Sequence, residues 1–330
     1  MKLAINGFGR IGRVIFKICL DKKINVVAVN DIHGVKDAAY LLEYDSVYGK
    51  YDKKVKTQGD YLIIEGKKTI VLNEMNPEKL PWKKLGVDIV IESSGIFTDR
   101  EGASKHFKAG AKKVIVTAPG KNMDITVVPG VNDKKLNNKH KIISVASCTT
   151  NCATPILKVL NDKFGIKNAL LSTDHAYTNN QSLVDGFNKS PRRGRAAAQN
   201  IVPASTGASE SIIEALPELK GKINGMAIRI PVADGSLVDI VAELKKNFTI
   251  ESINNALKKS SNKEMKGIIE YSEEELVSSD VIGNSHSAVV DSLLTLKEGD
   301  LVKVLAWYDN EYGYSCRVID VINMLKKFNN

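Results

Sequence analysis

The N-terminal half of the chain alternates short apolar runs with segments of helical spacing. Buried strands are predicted by the apolar runs 2–6, 25–30, 87–92, 113–117 and 141–145. Helices are predicted between them, by the segments 13–20, 37–42 and 100–109. Residues 54–57 and 61–65 interrupt this order and predict a hairpin that turns at Gly59-Asp60. Strands that alternate with helices are typical of a parallel sheet with both faces covered, so we expect a doubly wound α/β domain.

The C-terminal half has a different order of elements. Helical spacing at 153–164 is followed by the strand-like runs 169–173, 225–230, 238–244 and 301–308, with a helix ending at Leu216 among them. This order predicts an α+β domain with a mostly antiparallel sheet and helices on one side. The segment 179–201 has little regular pattern, and a loop of this length in a compact enzyme is usually functional. Helical spacing at 314–327 ends the pattern.

Composition indicates a soluble globular protein large enough for two domains. The chain has 330 residues, of which 43% are hydrophobic and 26% are charged. We expect no membrane association, because no apolar run approaches the roughly 20 residues that cross a bilayer. The N-terminus turns glycine-rich before a signal-peptide core could form. Four cysteines make a disulfide framework improbable, so we expect a cytoplasmic protein.

The net charge of +9 suggests anionic partners. Lysines are spread along the chain among acidic residues, and only 189–195 is locally dense in positive charge. Nucleic-acid-binding proteins often interleave aromatic and basic residues, and this sequence has no such stripe. We therefore favour small phosphate-bearing metabolites over a primary nucleic-acid partner.

A glycine-rich turn follows the first predicted strand directly, at Gly7-Phe8-Gly9-Arg10-Ile11-Gly12. In a dinucleotide-binding site Gly7 would permit the tight turn, Gly9 the approach of the pyrophosphate, and Gly12 close packing of the helix on the strand. Asp31 ends the second strand about 20 residues further on, where a carboxylate binds the adenosine ribose and repels a 2′-phosphate. The strand, turn, helix and acid together predict a Rossmann site.

The stretch Ser147-Cys148-Thr149-Thr150-Asn151-Cys152 lies between a predicted strand and a predicted helix. Helix N-termini offer unpaired N–H groups and a positive dipole end, which favour a thiolate at Cys148. We therefore expect its pKa to lie below the ordinary value of about 8.5. Taken alone, the stretch fits a buried cysteine followed by a Ser/Thr cap better than a catalytic nucleophile.

Seven segments together resemble the phosphorylating glyceraldehyde-3-phosphate dehydrogenase family. They occur in family order and extend over essentially the whole chain: 6–13, 29–31, 146–152, 175–179, 195–207, 225–231 and 306–314. The resemblance implies a Rossmann NAD-binding domain at 1–148, completed by a C-terminal helix at 314–330, and a catalytic domain at 149–313. It also implies a homotetramer and no metal.

The resemblance implies a reaction as well. Cys148 would attack the aldehyde of glyceraldehyde 3-phosphate, a hydride would pass to NAD, and inorganic phosphate would release the thioester as 1,3-bisphosphoglycerate, in glycolysis or gluconeogenesis. His175 would be the general base, although a histidine at a strand end is more often structural. Cys152 is interpreted as packing, or as a partner for an oxidative disulfide.

Binding residues are implied in the same way. For several of them the ordinary interpretation is a cap residue, a strand residue or a surface ion pair. The two anion pockets would use Ser147, Thr149, Thr178, Arg193, Arg195, Thr206, Gly207 and Arg229. The cofactor would contact Gly7, Gly9, Arg10, Ile11, Asp31, Thr117 and Asn310.

Three segments depart from the family pattern. Gly186-Phe187 stands in the long loop where many NAD-preferring members have Leu-Pro, which leaves use of NADP open despite Asp31. Asn180 replaces a common Asp, and Val232-Ala233-Asp234-Gly235-Ser236 replaces Thr-Pro-Asn-Val-Ser, with Asp234-Gly235 predicting a tighter turn.

Two other enzyme functions stay open from sequence. Erythrose-4-phosphate dehydrogenase shares the cysteine, the histidine and the nucleotide fold. A cysteine hydrolase or acyltransferase could also use Cys148 and His175. It would not need the glycine turn, Asp31 or Asn310.

Overall fold

The computed structural model describes residues 1–328, which form two compact units. Unit 1 consists of Met1–Val127, Lys134–Ala146 and the C-terminal stretch from Ser315, and unit 2 consists of Val128–Asp133 and Ser147–Tyr314. The last two residues of the predicted 314–330 helix lie outside the described residues. The boundaries that we predict for independent domains, 148/149 and 313/314, stay a prediction.

Unit 1 contains a nine-stranded sheet in the order β10-β11-β9-β8-β1-β2-β7-β6-β5. Its elements are β1 (Leu3–Asn6), α1 (Arg10–Asp21), β2 (Val26–Asn30), α2 (Val35–Glu43), β3 (Tyr44–Asp45), β4 (Gly49–Lys50), β5 (Val55–Gln58), β6 (Tyr61–Ile64), β7 (Lys67–Leu72), α3 (Trp82–Leu85), β8 (Ile89–Glu92), α4 (Arg100–Lys108), β9 (Lys113–Val116), β10 (Ile125–Thr126) and β11 (Ile142–Ser144). The strands from β10 to β7 pair in parallel, and β5 and β6 pair antiparallel.

The doubly wound arrangement is confirmed, and it places the glycine turn at a switch point of the sheet. All four residues of β1 are buried, as expected of a strand covered on both faces. β1 pairs with β2 on one side and with β8 on the other, so the strand order reverses beside it. Ligands of open α/β sheets bind at this point, outside the carboxyl ends of the strands. The hairpin of β5 and β6 is also confirmed.

Unit 2 contains a seven-stranded sheet in the order β13-β14-β12-β15-β18-β17-β16. Its elements are α5 (Cys148–Phe164), β12 (Ile166–Ala176), β13 (Val202–Ala204), α6 (Ala208–Ala215), β14 (Ile223–Ile230), β15 (Ser236–Leu244), α7 (Ile250–Ser261), β16 (Ile269–Ser272), β17 (Ala288–Glu298) and β18 (Leu301–Tyr308). α8 (Tyr312–Lys327) starts in unit 2 and belongs to unit 1 from Ser315 onward. Four of the six strand pairings are antiparallel, which confirms the predicted α+β class.

The helices of unit 2 cover one face of its sheet. Every second residue of β15 is buried, from Ser236 to Leu244. The same face of β12 packs Ala169 and Leu171 into the core that α5, α6 and α7 complete. This packing holds the ends of α5, β12 and β14 in fixed positions, where the polar residues described below occur.

No helix within residues 1–328 is long and apolar enough to cross a membrane. Over the same residues, no group of three or more His, Cys, Asp or Glu side chains is arranged to hold a metal ion.

Candidate active site

Two glycines of the unit 1 turn are required by the fold, and a third is not. Gly7 has φ +92°, and a Cβ there would lie 2.4 Å from the backbone nitrogen of Ser94. A Cβ at Gly12 would lie 2.1 Å from the Gly7 carbonyl oxygen. At Gly9 a Cβ would meet nothing within 4 Å among the described residues. The space beside Gly9 is therefore open to a ligand, as the approach of a pyrophosphate requires.

Asp31 is tied to this turn by backbone hydrogen bonds. Its Oδ2 accepts the Phe8 N–H at 2.9 Å, and its Oδ1 accepts the His33 N–H at 3.2 Å. These contacts fix a carboxylate at the carboxyl end of β2, beside the glycine turn. The Asp31 carboxylate, which can accept hydrogen bonds from ribose hydroxyls, and the open space at Gly9 fit the adenosine half of a dinucleotide.

The other predicted cofactor residues of unit 1 also lie at strand and helix ends. Arg10 and Ile11 form the first turn of α1, and the Arg10 guanidinium donates to Asp45 at 3.0 Å. Thr117 follows β9, where its N–H and its hydroxyl both donate to the Glu92 carbonyl. Arg10 is thus partly committed to Asp45, whereas Asp31 faces the turn directly.

Cys148 is the first residue of α5, as its sequence neighbours predict. Ser147 caps the helix, and its Oγ accepts the Thr150 N–H at 3.0 Å. Cys152, one turn further on, is fully buried in the unit 2 core, and burial raises the pKa of its thiol well above the ordinary value. This environment favours the packing interpretation of Cys152.

The catalytic pair predicted from sequence is brought together at the ends of α5 and β12. His175 Nε2 lies 3.3 Å from Cys148 Sγ. β14 runs parallel to β12 with Arg229 in register with His175, so the guanidinium projects beside the imidazole. Arg229 Nη1 lies 2.7 Å from His175 Nδ1 and 3.0 Å from the Ala176 carbonyl oxygen.

The two neighbours of His175 Nδ1 favour opposite tautomers. The Ala176 carbonyl oxygen, 2.7 Å from Nδ1, can only accept a hydrogen bond, whereas the Arg229 guanidinium can only donate one. A proton on Nδ1 satisfies the carbonyl and leaves the Nε2 lone pair for the Cys148 thiol. A proton on Nε2 instead satisfies the contact with Arg229. Arg229 therefore competes with the tautomer that a general base requires.

The expectation that the pKa of Cys148 lies below its ordinary value is wrong for this structure. Burial raises the pKa of the thiol, and this effect exceeds the opposing effects of Arg229 and of hydrogen bonds from Thr149. Burial and the nearby Arg229 charge lower the pKa of His175 to about 3. The thiol and the imidazole are both neutral near pH 7 in this state. The helix N-terminus alone could not reveal this, because desolvation depends on the packing around the sulfur.

Several of the predicted phosphate residues form one hydrogen-bonded group. Asn180 Oδ1 accepts from Thr178 Oγ1 at 2.9 Å and from Arg193 Nη1 at 3.0 Å. Arg193 Nη2 also donates to the Ser205 carbonyl, next to Thr206. An amide oxygen accepts these hydrogen bonds without adding a negative charge. Asn180 can therefore make the same two hydrogen bonds as the Asp that is common in the family.

Three other predicted phosphate residues are placed differently. Thr206 Oγ1 accepts the Ala208 N–H at 3.2 Å, and Gly207 is the N-cap of α6. Arg195 donates to Asp185 within the long loop at 3.0 Å, and both side chains are exposed. Among the hydrogen bonds of residues 1–328, those of Arg195 do not join it to the Arg193 group. Phe187, in the Gly186-Phe187 departure, is fully exposed.

Sequence reasoning gave no role to two residues that hold the site. Tyr308 is buried, its ring packs edge-on to His175, and its hydroxyl lies 2.9 Å from Thr149 Oγ1 and 2.8 Å from Thr173 Oγ1. Ser236 donates to Asn310 Oδ1 at 2.6 Å and accepts the Ala176 N–H at 3.1 Å. Tyr308 is the last residue of β18 and Ser236 is the first residue of β15. Both strands alternate in burial, a pattern that does not distinguish a functional position from a core position.

Two family profiles match the chain. The glyceraldehyde 3-phosphate dehydrogenase NAD binding domain matches residues 1–100, and the C-terminal domain of the same family matches residues 147–310.

Curated proteins are similar over nearly the full length. Glyceraldehyde-3-phosphate dehydrogenase 1 of Bacillus subtilis is 52% identical over 99% of this chain and 98% of its own length. The Geobacillus stearothermophilus glyceraldehyde-3-phosphate dehydrogenase is 52% identical over 97% of both chains. The chloroplastic GAPA1 protein of Arabidopsis thaliana is 49% identical over 98% of this chain and 83% of its own length.

Proposed function

Because the chain belongs to the glyceraldehyde 3-phosphate dehydrogenase family, we propose that it oxidises glyceraldehyde 3-phosphate with NAD and inorganic phosphate to 1,3-bisphosphoglycerate. The observation that carries this proposal is the approach of Cys148 Sγ to His175 Nε2, with Arg229 beside the imidazole. A nucleophile, a base and a cation within one site are what acyl transfer to phosphate requires.

The chemistry follows from these groups. His175 Nε2 takes the Cys148 proton while the sulfur bonds to the aldehyde carbon, and the imidazolium returns that proton to the former carbonyl oxygen, which gives a hemithioacetal and a neutral His175. NAD, when bound, accepts the hydride from that carbon. His175 takes the hydroxyl proton as the hydride leaves, so that a thioester remains on Cys148. A phosphate oxygen then attacks the thioester carbon, the C–S bond breaks, and the sulfur recovers its proton from His175.

Binding roles are proposed for the residues around these groups. Arg229, Arg193, Thr178 and Thr206 present a guanidinium or hydroxyl that can donate to phosphate oxygens, and Ser147, Thr149, Gly207 and Arg195 complete the proposed set. In unit 1, Gly7, Gly9, Arg10, Ile11, Asp31 and Thr117 would hold the nucleotide. Asn310, fixed by Ser236, would hold the nicotinamide carboxamide.

A steady-state assay that follows reduced cofactor tests the function. We expect turnover with glyceraldehyde 3-phosphate that depends on NAD and on inorganic phosphate, and no turnover by Cys148→Ser, which should still bind NAD. Retained dehydrogenase activity in Cys148→Ser would refute the assignment of the nucleophile. Turnover with erythrose 4-phosphate alone, without a phosphate requirement, would replace the proposed substrate.

A homotetramer is part of the proposal, supported by apolar side chains that unit 2 leaves exposed. Leu170, Met226 and Leu301 lie on the sheet face opposite the helices and are 67%, 44% and 44% exposed. Leu183 and Val184 are exposed in the long loop. Apolar side chains exposed on one face of a sheet favour coverage of that face by another subunit. Sedimentation velocity should give the mass of four chains, and a monomer at micromolar concentration would contradict the tetramer.

We also place the protein in the cytoplasm, where reducing conditions keep a catalytic thiol such as Cys148 in its active form. Fractionation of cells with an antibody to the protein tests this location.

A further inference from the structure

A pair of buried carboxyl groups lies beside the proposed nicotinamide residue. Asp234 and Asp309 are each 1% exposed, and a side-chain hydrogen bond joins them. Asp234 precedes β15, and Asp309 lies between β18 and α8. Two ionised carboxylates cannot remain in hydrogen-bond contact in a buried site without a large electrostatic cost, so one of them must hold a proton.

Hydrogen bonds from the backbone indicate which carboxyl group holds the proton. Asp309 Oδ1 accepts the N–H groups of Glu311 and Tyr312 at 2.8 and 2.7 Å, and Asp309 Oδ2 accepts the Gly283 N–H at 2.7 Å. Asp234 Oδ1 accepts from Gly235 at 2.9 Å. Three N–H donors favour the carboxylate form of Asp309. The proton of the pair therefore belongs to Asp234, which donates it to Asp309.

Other charged and titratable groups around Asp234 reinforce this assignment. Burial, followed by the charges of Asp309 and Glu311, raises the pKa of Asp234 to about 8. The 278–281 turn packs on Gly235 and carries Asp280, whose carboxylate accepts the Val277 N–H. On β18, the titratable residue in register with Ser236 is Tyr308, whose hydroxyl is engaged by two threonines. Negative charges on Asp309, Glu311 and Asp280 all oppose ionisation of Asp234.

The segment that carries Asp234 also fixes residues of the proposed active site. Ser236, two residues further on, donates to Asn310 Oδ1 and accepts the N–H of Ala176, the neighbour of His175. Asp309 is covalently next to Asn310. Loss of the Asp234 proton would set two carboxylates against each other, one of them on the residue before Asn310.

We propose that Asp234 is a positioning residue whose protonated carboxyl group donates to Asp309 and thereby holds Asn310 in the orientation that binds the nicotinamide. This inference rests on the proposed function, in which Asn310 contacts the cofactor. It predicts that affinity for NAD falls when Asp234 loses its proton, independently of the catalytic thiol.

The test measures the NAD dissociation constant by calorimetry across the pH range, in a Cys148→Ser background that removes the titration of the thiol. With Asp234 intact, we expect about tenfold weaker binding one pH unit above the Asp234 titration, because only about a tenth of the molecules keep the proton there. In Asp234→Asn, an amide N–H donates to Asp309 at every pH, so the dissociation constant should stay constant. Asp239→Asn is the matched control, since Asp239 lies on β15, the strand that follows Asp234, and pairs with Lys303. It should keep the pH dependence.

A second readout is the pH dependence of thermal unfolding. Below about pH 4 both folded and unfolded chains hold the Asp234 proton, and between about 4 and 8 only the folded chain does, so stability contributed by this group falls as pH rises through that window. Asp234→Asn should lack this slope. Parallel loss of NAD affinity in the intact and Asp234→Asn proteins would overturn the proposal and leave the proposed function standing. Failure of both proteins to bind NAD near neutral pH would instead refute the function.

Discussion

Replacing Arg229 with glutamine should raise the pKa of the Cys148 thiol by about 0.7 unit. One imidazole ring separates the guanidinium from the sulfur, with contacts of 2.7 Å and 3.3 Å on its two sides. The charge therefore lies within about 8 Å of the sulfur, where Coulomb's law with an effective dielectric constant of about 20 gives about 2 kcal/mol. Solvent reaches the partly exposed guanidinium, so we take about half of that energy, which corresponds to about 0.7 pKa unit.

The assay is the rate of alkylation by iodoacetamide as a function of pH, with neither cofactor nor phosphate present. Arg229→Gln should shift the midpoint upward, and Arg229→Lys, which retains a positive charge, should stay near the original protein. Arg192→Gln is the matched control, because Arg192 is an exposed arginine of the long loop. An unchanged or lower midpoint in Arg229→Gln would refute the electrostatic reasoning.

Three further predictions concern the cofactor turn and the threonine network. Gly9→Ala should fold normally but weaken NAD binding, whereas Gly12→Ala should lower the melting temperature, because its Cβ would meet the backbone at Gly7. Equal losses of melting temperature in the two variants would contradict this distinction. Asp31→Gly should raise the ratio of kcat/KM with NADP to kcat/KM with NAD by about tenfold, or about 1.4 kcal/mol, because the carboxylate that repels a 2′-phosphate is lost. An unchanged ratio would mean that the long loop decides cofactor choice. Tyr308→Phe should lower the free energy of unfolding by about 1–3 kcal/mol in denaturant titrations, because two hydroxyl contacts are lost, and the exposed Tyr61→Phe should not.

The strands of the fold could be predicted where their apolar runs are short and continuous. β17 was not predicted, because its pairing with β18 is irregular between Asp291 and Leu296, and Leu293, Leu294 and Leu296 are exposed. α7 was also missed, although Thr249 and Ser252 form a capping box that marks its start. α5 begins five residues before its helical spacing does, because the first turn buries threonines rather than aliphatic residues.

The candidate site also has features that could be predicted from the sequence and features that could not. The family resemblance implied roles for Cys148, His175 and Arg229, and the structure places His175 in contact with both of the others. The sequence could not predict the direction of the Cys148 pKa shift, because desolvation and the helix N-terminus act in opposite senses and only packing decides which is larger. The sequence also could not predict the Asp234–Asp309 pair. Four strands of the unit 2 sheet, β15 to β18, lie between these two residues along the chain.

Arg229 acts on proton transfer within the catalytic pair through its charge and also through its contact with His175 Nδ1. Its charge lowers the pKa of Cys148 and also that of His175. Transfer of a proton from sulfur to Nε2 depends on the difference between these two pKa values. The guanidinium contacts the imidazole but lies about 8 Å from the sulfur, so its charge opposes the imidazolium more than it favours the thiolate. The contact of Arg229 with Nδ1 acts in the same sense, because it favours the tautomer that has no lone pair on Nε2. Drawing the guanidinium away from Nδ1 frees that nitrogen to donate to the Ala176 carbonyl, and Nε2 then becomes able to accept the proton of the thiol.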